Sequence, residues 1–337
     1  MCGPPRLRSE ADRYDGGVQP TERPLISVII PCFNATRMLS LQLDALSTQS
    51  GAPPFEVVLV DNRSTDDLAG LARSYMNRFP HGLRVVEASE HQGVSYARNV
   101  GAEVAEADHL MFCDADDVVS EWWIAQGIQA FSVADLWSGS AILLTDDAFQ
   151  GTLAQIRSAF GDSPIWEPPW PVSDPTVFPV LMGGNFGCTK ALFKSLGGFD
   201  QSFPTTGEDN DFAFRAHRSG LAVLTSPTVR IAYRGKWELR SRVRLAFRAA
   251  QAHALLATRY DTWSGSPFPQ PVRGLVRCGL AAARMAVQPS RRDFPGLGIR
   301  TAESAGLAWG AMKFKVLKKI PEPQIGVGLS TSPEGAR

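Results

Sequence analysis

Four short runs of mainly apolar residues recur over the first third of the chain. They lie at residues 25–30 (LISVII), 55–60 (FEVVLV), 83–87 (LRVVE) and 109–113 (HLMFC). The first two are rich in β-branched side chains, which is typical of strands that are buried on both faces of a parallel sheet, and the other two have the length of short strands. The pattern therefore predicts four parallel strands.

The segments between these runs place apolar residues at helical spacing. They predict helices over about 36–48, with Thr36 as a possible cap, 66–78 and 93–105. Strands and helices that alternate about every 25 to 30 residues are typical of βαβ units. We predict an α/β fold with a doubly wound, mostly parallel sheet, in which the loops after the strands meet at one carboxyl edge.

The pattern is less regular beyond residue 130. It predicts a strand at 136–144 and helices at about 189–196, 208–219, 237–259, 274–287 and 301–319, but no element in a Pro- and Trp-rich insertion at 145–180. The chain is thus expected to contain a disordered leader at 1–23, an α/β domain at 24–235, a basic helical region at 236–320 and a disordered tail at 321–337.

Three polar clusters follow predicted strands. They are Pro31–Asn34 (PCFN), residues 60–67 (VDNRSTDD) and residues 114–117 (DADD). Ligands of doubly wound sheets bind in the crevice at the carboxyl ends of the strands, so the clusters indicate one shared site. The first loop lacks the G-x-G-x-x-G fingerprint of dinucleotide-binding enzymes, which argues against a dehydrogenase.

The three carboxylates of the third cluster, Asp114, Asp116 and Asp117, lie within four residues. Such closely spaced negative charges raise one another's pKa unless a cation lies among them. Mg²⁺ or Mn²⁺ binds through one or two carboxylates and completes its shell with phosphate oxygens and water. The alternative is a solvated acidic turn that caps a helix beginning near Ser120.

Other polar residues have two interpretations each. Asp61 either binds a base or ribose or caps the turn after its strand. Arg98, on the helix before the acidic cluster, pairs either with the acids or with the phosphates of a bound ligand. Glu208, Asp209 and neighbouring acids suit the positive end of a helix, but a carboxylate held there can also remove a proton from the hydroxyl of a substrate.

Charge is distributed unevenly. The 34 basic and 34 acidic residues cancel, yet residues 230–320 hold 18 Lys and Arg against 4 Asp and Glu. This segment either meets anionic lipid or a phosphate-bearing acceptor, or covers the acidic remainder of the chain. Both interpretations remain open.

Several function classes lack their usual signals. The histidines show no HExxH spacing and the chain contains no GxSxG elbow, so neither a zinc protease site nor a serine-hydrolase site is expected. No apolar run approaches the roughly 18 residues of a membrane span. Five scattered cysteines without a CxxC pair favour a reducing cytoplasm, with Cys32, Cys113 and Cys188 as small core residues.

Four motifs, in this order and spacing, resemble family 2 glycosyltransferases. They are SVIIPCFN, VLVDNRSTDD, GVSYARNVGAEVAEADHLMFCDADD and, after GGFDQSF, GEDNDFAFR, over about residues 24–235. Each motif is degenerate, but the four together are specific. The resemblance implies a GT-A fold, a nucleoside-diphosphate-sugar donor, a divalent metal ion (Mg²⁺ or Mn²⁺) and inversion at the anomeric carbon.

The resemblance also implies roles for residues at the donor site. Pro31, Phe33 and Asn34 would line the nucleotide pocket. Asp61 would contact the base, and Arg98 would lie near the donor. A departure in this region is the run at 61–64, which is Asp-Asn-Arg-Ser where many relatives carry Asp-Asp-Gly-Ser. Base recognition is therefore expected to differ.

The acidic motifs carry the remaining implied roles. Asp114 and Asp116 would form the family's DxD, with Asp117 beside them, and hold the metal and the diphosphate. Asp209 of the Glu208-Asp209 pair would be the catalytic base. Relatives often supply a histidine ligand after the following strand, where this chain has Tyr233 and Arg234. Either Arg234 partly replaces a cation or the DxD alone holds the metal.

The predicted function is therefore sugar transfer to a glycan or lipid-linked acceptor, in the cytoplasm or against the inner face of the membrane. No nucleic-acid partner is expected, and the oligomeric state is not predicted. A catalytically silent nucleotide- or glycan-binding protein is the alternative, against which the intact acids count. A nucleotidyltransferase would need a glycine-rich first loop, which is missing. The basic helices, with spacing such as that of Leu307, Met312, Phe314 and Leu317, suggest contact with an anionic membrane.

Overall fold

The computed structural model describes residues 22–159, 163–171, 180–203, 206–235, 238–264, 271–288, 290 and 292–330. Most of the expected leader, parts of the insertion and residues 331–337 of the expected tail lie outside this range. The strands are β1 Ile26–Cys32, β2 Phe55–Asp61, β3 Leu83–Glu87, β4 His109–Cys113, β5 Val118–Val119, β6 Leu136–Leu144, β7 Trp170–Pro171, β8 Asn185–Thr189 and β9 Leu224–Arg234.

The α-helices alternate with these strands in the first half and follow them at the end. They are α1 Thr36–Ser47, α2 Leu68–Tyr75, α3 Val94–Val104, α4 Trp123–Phe131, α5 Leu153–Ser158, α6 Lys190–Ser195, α7 Glu208–Arg218, α8 Leu239–Arg259, α9 Pro271–Val287 and α10 Phe294–Gly310. Short 3₁₀ helices lie at Met76–Arg78 and Asp146–Gln150, and a π-helical turn at Ala311–Val316 follows α10.

The strands form one sheet in the order β3-β2-β1-β4-β8-β6-β9-β5, with β7 beside β9. β3, β2, β1 and β4 are parallel, which confirms the four predicted strands and the α/β class. β8 then runs antiparallel to both β4 and β6. The carboxyl ends of the four parallel strands therefore meet at one edge, as expected for a doubly wound sheet.

Both faces of the sheet are covered by apolar layers, which explains the uninterrupted apolar runs. Val28 and Leu39 belong to one layer, and Ile29 and Val100 to the other. Helix α3 lies so close to the sheet that a Cβ at Gly101 would meet the Ile29 side chain at 2.5 Å. The cysteines interpreted as core residues, Cys32, Cys113 and Cys188, are buried in these layers.

The cap of α1 and the start of α2 differ from the predicted ones. Thr36 does not cap α1: it is the first helical residue, and its main-chain N–H donates to Asp66 Oδ2 (2.9 Å). Asp67 caps α2 by accepting from the N–H of Gly70 (2.8 Å), so that helix begins at Leu68. In both cases an aspartate after β2 takes the capping role.

The C-terminal helices form a third apolar cluster with Phe203 and with Phe214 of α7. Leu307 and Phe314 are buried in it, whereas Met312 and Leu317 are exposed. The four residues, whose amphipathic spacing suggested contact with a membrane, are therefore not all on one exposed face. The helix begins at Phe294 and its π-helical turn, which has a different period from an α-helix, changes the face that residues after Gly310 present.

Residues 321–330 differ from the expected disordered tail because they pack against the α/β domain. Asn99 Nδ2 donates to the carbonyl of Val327 (3.0 Å), and the N–H of Gln324 donates to Asp200 Oδ1 (2.8 Å). Val327 and Leu329 also contact the apolar layer that contains Val100. Buried polar partners and apolar contacts together keep this segment in place.

Candidate functional site

The loops after β1 and β2 are joined through Asn34. Its main-chain N–H donates to Ser64 Oγ (3.1 Å), and its side-chain oxygen accepts from the N–H of Thr65 (2.7 Å). Asn34 has φ +50°, in the left-handed region that non-glycine residues rarely adopt. The preceding Phe33 is 53% exposed, and Pro31 is partly buried at the end of β1. The predicted pocket residues thus share the carboxyl edge of the sheet.

Asp61 ends β2 opposite Cys32, the last residue of β1. Its Oδ1 accepts from the N–H of Ser64 (2.9 Å), so the turn-capping interpretation of Asp61 has its hydrogen bond, while the side chain stays partly exposed. Burial raises the pKa of the Cys32 thiol, and the charges of Asp61, Asp66 and Asp114 raise it further. Carboxylates from the end of β2 and from the loops that follow β2 and β4 therefore lie near the end of β1.

Asn62 and Arg63, the two positions at which the run after β2 departs from the family pattern, have a structural role. Asn62 is 5% exposed, and its Nδ2 donates to the carbonyls of Ala88 (2.5 Å) and His91 (2.7 Å) while its Oδ1 accepts from the N–H of Gly93 (2.7 Å). Arg63 takes φ +69° and its guanidinium donates to two carbonyls of the same loop. Both residues hold the loop that leads into α3.

The acidic triplet follows β4 directly. Oxygen atoms of Asp114, Asp116 and Asp117 all lie within 4.8 Å of one another. Asp117 is 1% exposed; its Oδ1 accepts from the N–H of Arg234 (2.9 Å), and its buried Oδ2 has no hydrogen-bond partner. Burial raises the pKa of Asp117 well above its ordinary value, and the charges of Asp114 and Asp116 raise it further. A divalent cation would satisfy this oxygen and these charges, so the residues fit Mg²⁺ or Mn²⁺.

Arg98 joins the acidic triplet to the acids of α7. The side chain is 3% exposed and donates to Asp114 Oδ1 (2.9 Å) and to Glu208 Oε1 (3.0 Å). Burial opposes its charge, but the carboxylates of Asp114, Glu208 and Asp209 outweigh that effect and raise the pKa of Arg98. Residues far apart in the sequence thus meet at one place, and the predicted pairing of Arg98 with the acids is present.

A glycine loop missed by sequence reasoning lies between the two acidic groups. The N–H of Gly183 donates to Asp209 Oδ2 (3.2 Å), and a Cβ at Gly184 would meet Asp114 Oδ2 at 2.6 Å. Asn185, fully buried, holds the loop in place by accepting from Trp123 Nε1 (2.9 Å). The consecutive glycines before a polar residue were the available sequence signal, since only glycine permits so close an approach.

The first turn of α7 presents two acids in different surroundings. Glu208 is 6% exposed, and burial together with the charge of Asp209 raises the pKa of Glu208 to about 7. Asp209 is partly exposed, its Oδ1 accepts from the N–H of Asn210 (2.7 Å), and burial raises its pKa as well. Phe212, fully buried, anchors the helix in the core as predicted. The turn therefore holds one enclosed acid and one that reaches the surface.

The end of β9 lies against the acidic triplet, where relatives often carry a histidine. The Arg234 guanidinium donates to the carbonyl of Asp116 (3.0 Å) and to Asp146 Oδ1 (2.7 Å), and it lies 4.1 Å from the ring centroid of Phe149. Partial burial raises the pKa of Tyr233, and the charges of Asp117 and the other two acids of the triplet raise it further. Arg234 thus ties the insertion at 145–180 to the acidic loop.

Comparison with known proteins agrees with this geometry. The O-antigen biosynthesis protein RfbC of Myxococcus xanthus is 26% identical over 296 residues, which are 81% of this chain and 22% of RfbC. Glycosyltransferase AglE of Haloferax volcanii is 32% identical over 110 residues, 32% of this chain and 36% of AglE. The chain thus spans between 22% and 36% of the length of these two curated relatives.

The fold also has a solved counterpart. The mannosyltransferase PcManGT from Pyrobaculum calidifontis, in complex with GDP-Man and Mn²⁺, matches with a TM-score of 0.56 at 21% identity, over 88% of this chain and 90% of PcManGT. This likeness identifies the predicted GT-A fold. The family model described as glycosyl transferase family 2 matches residues 27–197, just over half of the chain. The chain belongs to glycosyl transferase family 2.

Proposed function

We propose that the chain is an inverting glycosyltransferase that moves a sugar from a nucleoside-diphosphate sugar to an acceptor hydroxyl. The observation that carries this proposal is the Arg98 bridge, which brings the acidic loop after β4 and the first turn of α7 into one site. A donor diphosphate bound at the acidic loop then has its sugar close to α7. Intact acids at both ends of the bridge count against a catalytically silent binding protein.

The donor would lie along the carboxyl edge of the sheet. Asn34 and Phe33 would line the nucleotide pocket, and Asp61 would accept hydrogen bonds from the base. Asp114 and Asp116 would hold the divalent ion, with Asp117 beneath them. When bound, that ion supplies positive charge to the departing diphosphate.

Asp209 is the group we propose as general base. Its carboxylate is partly exposed and its raised pKa makes it a better proton acceptor than an ordinary aspartate. Glu208 is enclosed and paired with Arg98, so we assign it the positioning of Arg98 and of the helix turn. As the acceptor hydroxyl loses its proton to Asp209, its oxygen would bond to the anomeric carbon on the face opposite the diphosphate. The bond between that carbon and the diphosphate oxygen breaks in the same step, so the configuration inverts.

The relatives support a role in glycan synthesis at the cell surface. RfbC is named for O-antigen biosynthesis, and PcManGT was solved with GDP-Man and Mn²⁺. We accordingly propose a glycan or lipid-linked acceptor for this chain.

The function is tested by thermal unfolding of the full chain with GDP-mannose, UDP-glucose, UDP-N-acetylglucosamine and similar donors, with Mn²⁺ or with EDTA. One donor at a hundred times its Kd is expected to add about 2.7 kcal/mol to the free energy of unfolding, and only with the metal. Release of free sugar and nucleoside diphosphate is then measured for that donor. Absence of any metal-dependent stabilisation across the panel would contradict the proposal.

The exposed face of α9 supports contact with an anionic membrane. Val272, Val276 and Leu280 are 73%, 56% and 56% exposed and lie on one face of the helix, with Arg273 and Arg277 at its edge. An exposed apolar stripe flanked by arginines suits a helix that lies in the membrane interface. Among the described residues, no helix has the length and apolarity that crossing a bilayer requires.

Flotation with liposomes tests this contact. The protein is expected to float with vesicles that contain about 30% phosphatidylglycerol at low salt, because each Arg near an anionic surface contributes about 1 kcal/mol. Binding should fall at high salt, since the attraction is screened. Val276→Asp should abolish most of it, whereas Val133→Asp, at a valine that is 47% exposed in another region, should not. Equal flotation of the two variants would contradict the assignment of this face.

A further inference from the structure

A cavity of about 690 Å³ lies between the loop before α7, helix α8 and the segment after α10. Its apolar part is formed by Phe203, Leu255 and Phe314, which are 3%, 3% and 5% exposed. The volume falls in the range of small-molecule sites, which are mostly apolar with a few placed polar groups. No residue of this cavity takes part in the donor site described above.

Three cations line the same cavity. They are Arg248, Lys313 and Lys319, and no Asp or Glu lies among the described residues that line it. Within the described part of the chain, none of the three forms an ion pair with a carboxylate. Positive charge at an apolar cavity without internal counter-charge favours an anionic ligand.

The walls of the cavity are held together by Arg259. Its guanidinium donates to Asp200 Oδ2 (2.7 Å), to Ser202 Oγ (2.8 Å) and to the carbonyl of Pro321 (2.8 Å). It also lies 4.9 Å from the ring centroid of Phe203. Asp200 is fully buried, so its ion pair with Arg259 is enclosed. Through these contacts Arg259 connects α8 to the loop before α7 and to the C-terminal segment. Because its walls are already held in place, the cavity loses little conformational entropy when a ligand binds.

The cavity also adjoins the proposed base. Gly207, which precedes Glu208 and Asp209 and has φ +98°, lies so close to the cavity wall that a Cβ there would meet Ala252 at 3.0 Å and Phe203 at 3.2 Å. Both of those residues line the cavity. The side chains of Phe203 and Ala252 therefore separate a ligand in the cavity from the backbone that leads to Asp209.

We infer that this cavity binds the acceptor, and that the acceptor carries a phosphate group next to an apolar moiety. The three cations contact the phosphate, and the apolar moiety lies over Phe203, Leu255 and Phe314. The reacting oxygen then points past Gly207 towards the donor. This inference rests on the proposed function, since it identifies the second substrate of the same reaction.

The test is calorimetric titration of the full chain with farnesyl phosphate below its micellar concentration, glucose 1-phosphate, inorganic phosphate and farnesol. Farnesyl phosphate is expected to bind, and the double variant Lys313→Gln/Lys319→Gln should weaken it by about tenfold or more, as two charge-assisted contacts are lost. The matched control is Lys315→Gln/Lys318→Gln, which removes the same charge from the same segment but not from the cavity lining. The control should bind within about twofold of wild type.

Comparison of the probes shows whether the phosphate belongs to a lipid or to a soluble sugar phosphate. Farnesyl phosphate binding well above that of glucose 1-phosphate assigns a lipid phosphate, whereas the reverse order would contradict the apolar moiety and overturn the inference. Equal losses in the two double variants, or no binding of any phosphate probe by wild type, would overturn the inference. Metal-dependent stabilisation by donor is measured in parallel on the same variants. If donor and metal stabilise every variant, but Lys313→Gln/Lys319→Gln binds the phosphate probes as wild type does, only the cavity assignment is wrong. If donor and metal do not stabilise the wild-type protein, the proposed function is wrong.

Discussion

An Asp209→Asn variant is expected to turn over about 10²- to 10⁴-fold more slowly than wild type, with donor binding nearly unchanged. The amide keeps the size of the side chain and can still accept from the N–H of Asn210, but it cannot take a proton. Because Asp209 is not in the acidic triplet, the donor and its metal keep their ligands. Turnover is measured as sugar transfer, and donor binding as metal-dependent thermal stabilisation.

A matched control separates loss of the base from loss of structure. Asp293→Asn makes the same chemical change at the start of α10, where Asp293 Oδ1 accepts from the N–H of Gly296 (2.8 Å). Asn and Asp cap helices about equally well, so this variant should keep both activity and stability. Wild-type turnover by Asp209→Asn would place the base on another residue.

An Asp116→Asn variant is expected to lose most of the Mn²⁺-dependent stabilisation by donor and to slow turnover by about a hundredfold or more. Charge stabilisation by a bound metal ion is worth several kcal/mol, and each 1.36 kcal/mol is a factor of ten in rate. Asp116 is the clearest site for this change because Asp114 also pairs with Arg98 and Asp117 is buried. The measurement is thermal unfolding with donor, with and without Mn²⁺, followed by turnover.

The metal-free protein provides an internal check on this variant. Removing one of three adjacent negative charges relieves the repulsion that raises the pKa of Asp117, so Asp116→Asn without metal should be at least as stable as wild type. Asp108→Asn, at a side chain that is 81% exposed, serves as the control and should keep its metal response. A full Mn²⁺ response in Asp116→Asn would show that the ion is held elsewhere.

The first half of the fold follows from the sequence because β1, β2 and β4 are buried on both faces. Val28 and Ile29 point into opposite apolar layers, so the run at 25–30 shows no polar alternation and is recognisable on its own. The acids after β2 and β4 could be assigned to one edge for the same reason, since parallel strands place their carboxyl ends together.

In the second half, the strand predicted at 136–144 is present as β6, but β8 and β9 could not be obtained in this way because they depend on distant partners. β8 reads NFGCT, with a glycine inside it, and is a strand only because it pairs with β4 and β6. The glycine loop at 183–184 enters the site through the same pairing. Helix-like spacing at 301–319 was visible, but which residues face inward was decided by packing on α8 and by the π-helical turn.

The contacts of residues 321–329 also set a time order for maturation of the site. Gln324 reaches Asp200, which lies 124 positions earlier in the chain. At a synthesis rate of 5 to 20 residues per second, Gln324 emerges about 6 to 25 s after Asp200. During that interval the nascent α/β domain lacks the contacts made by residues 321–329. A chain halted near residue 310 would therefore contain the acidic residues after β4 and in α7, but not Pro321, Gln324 and the contacts that they make.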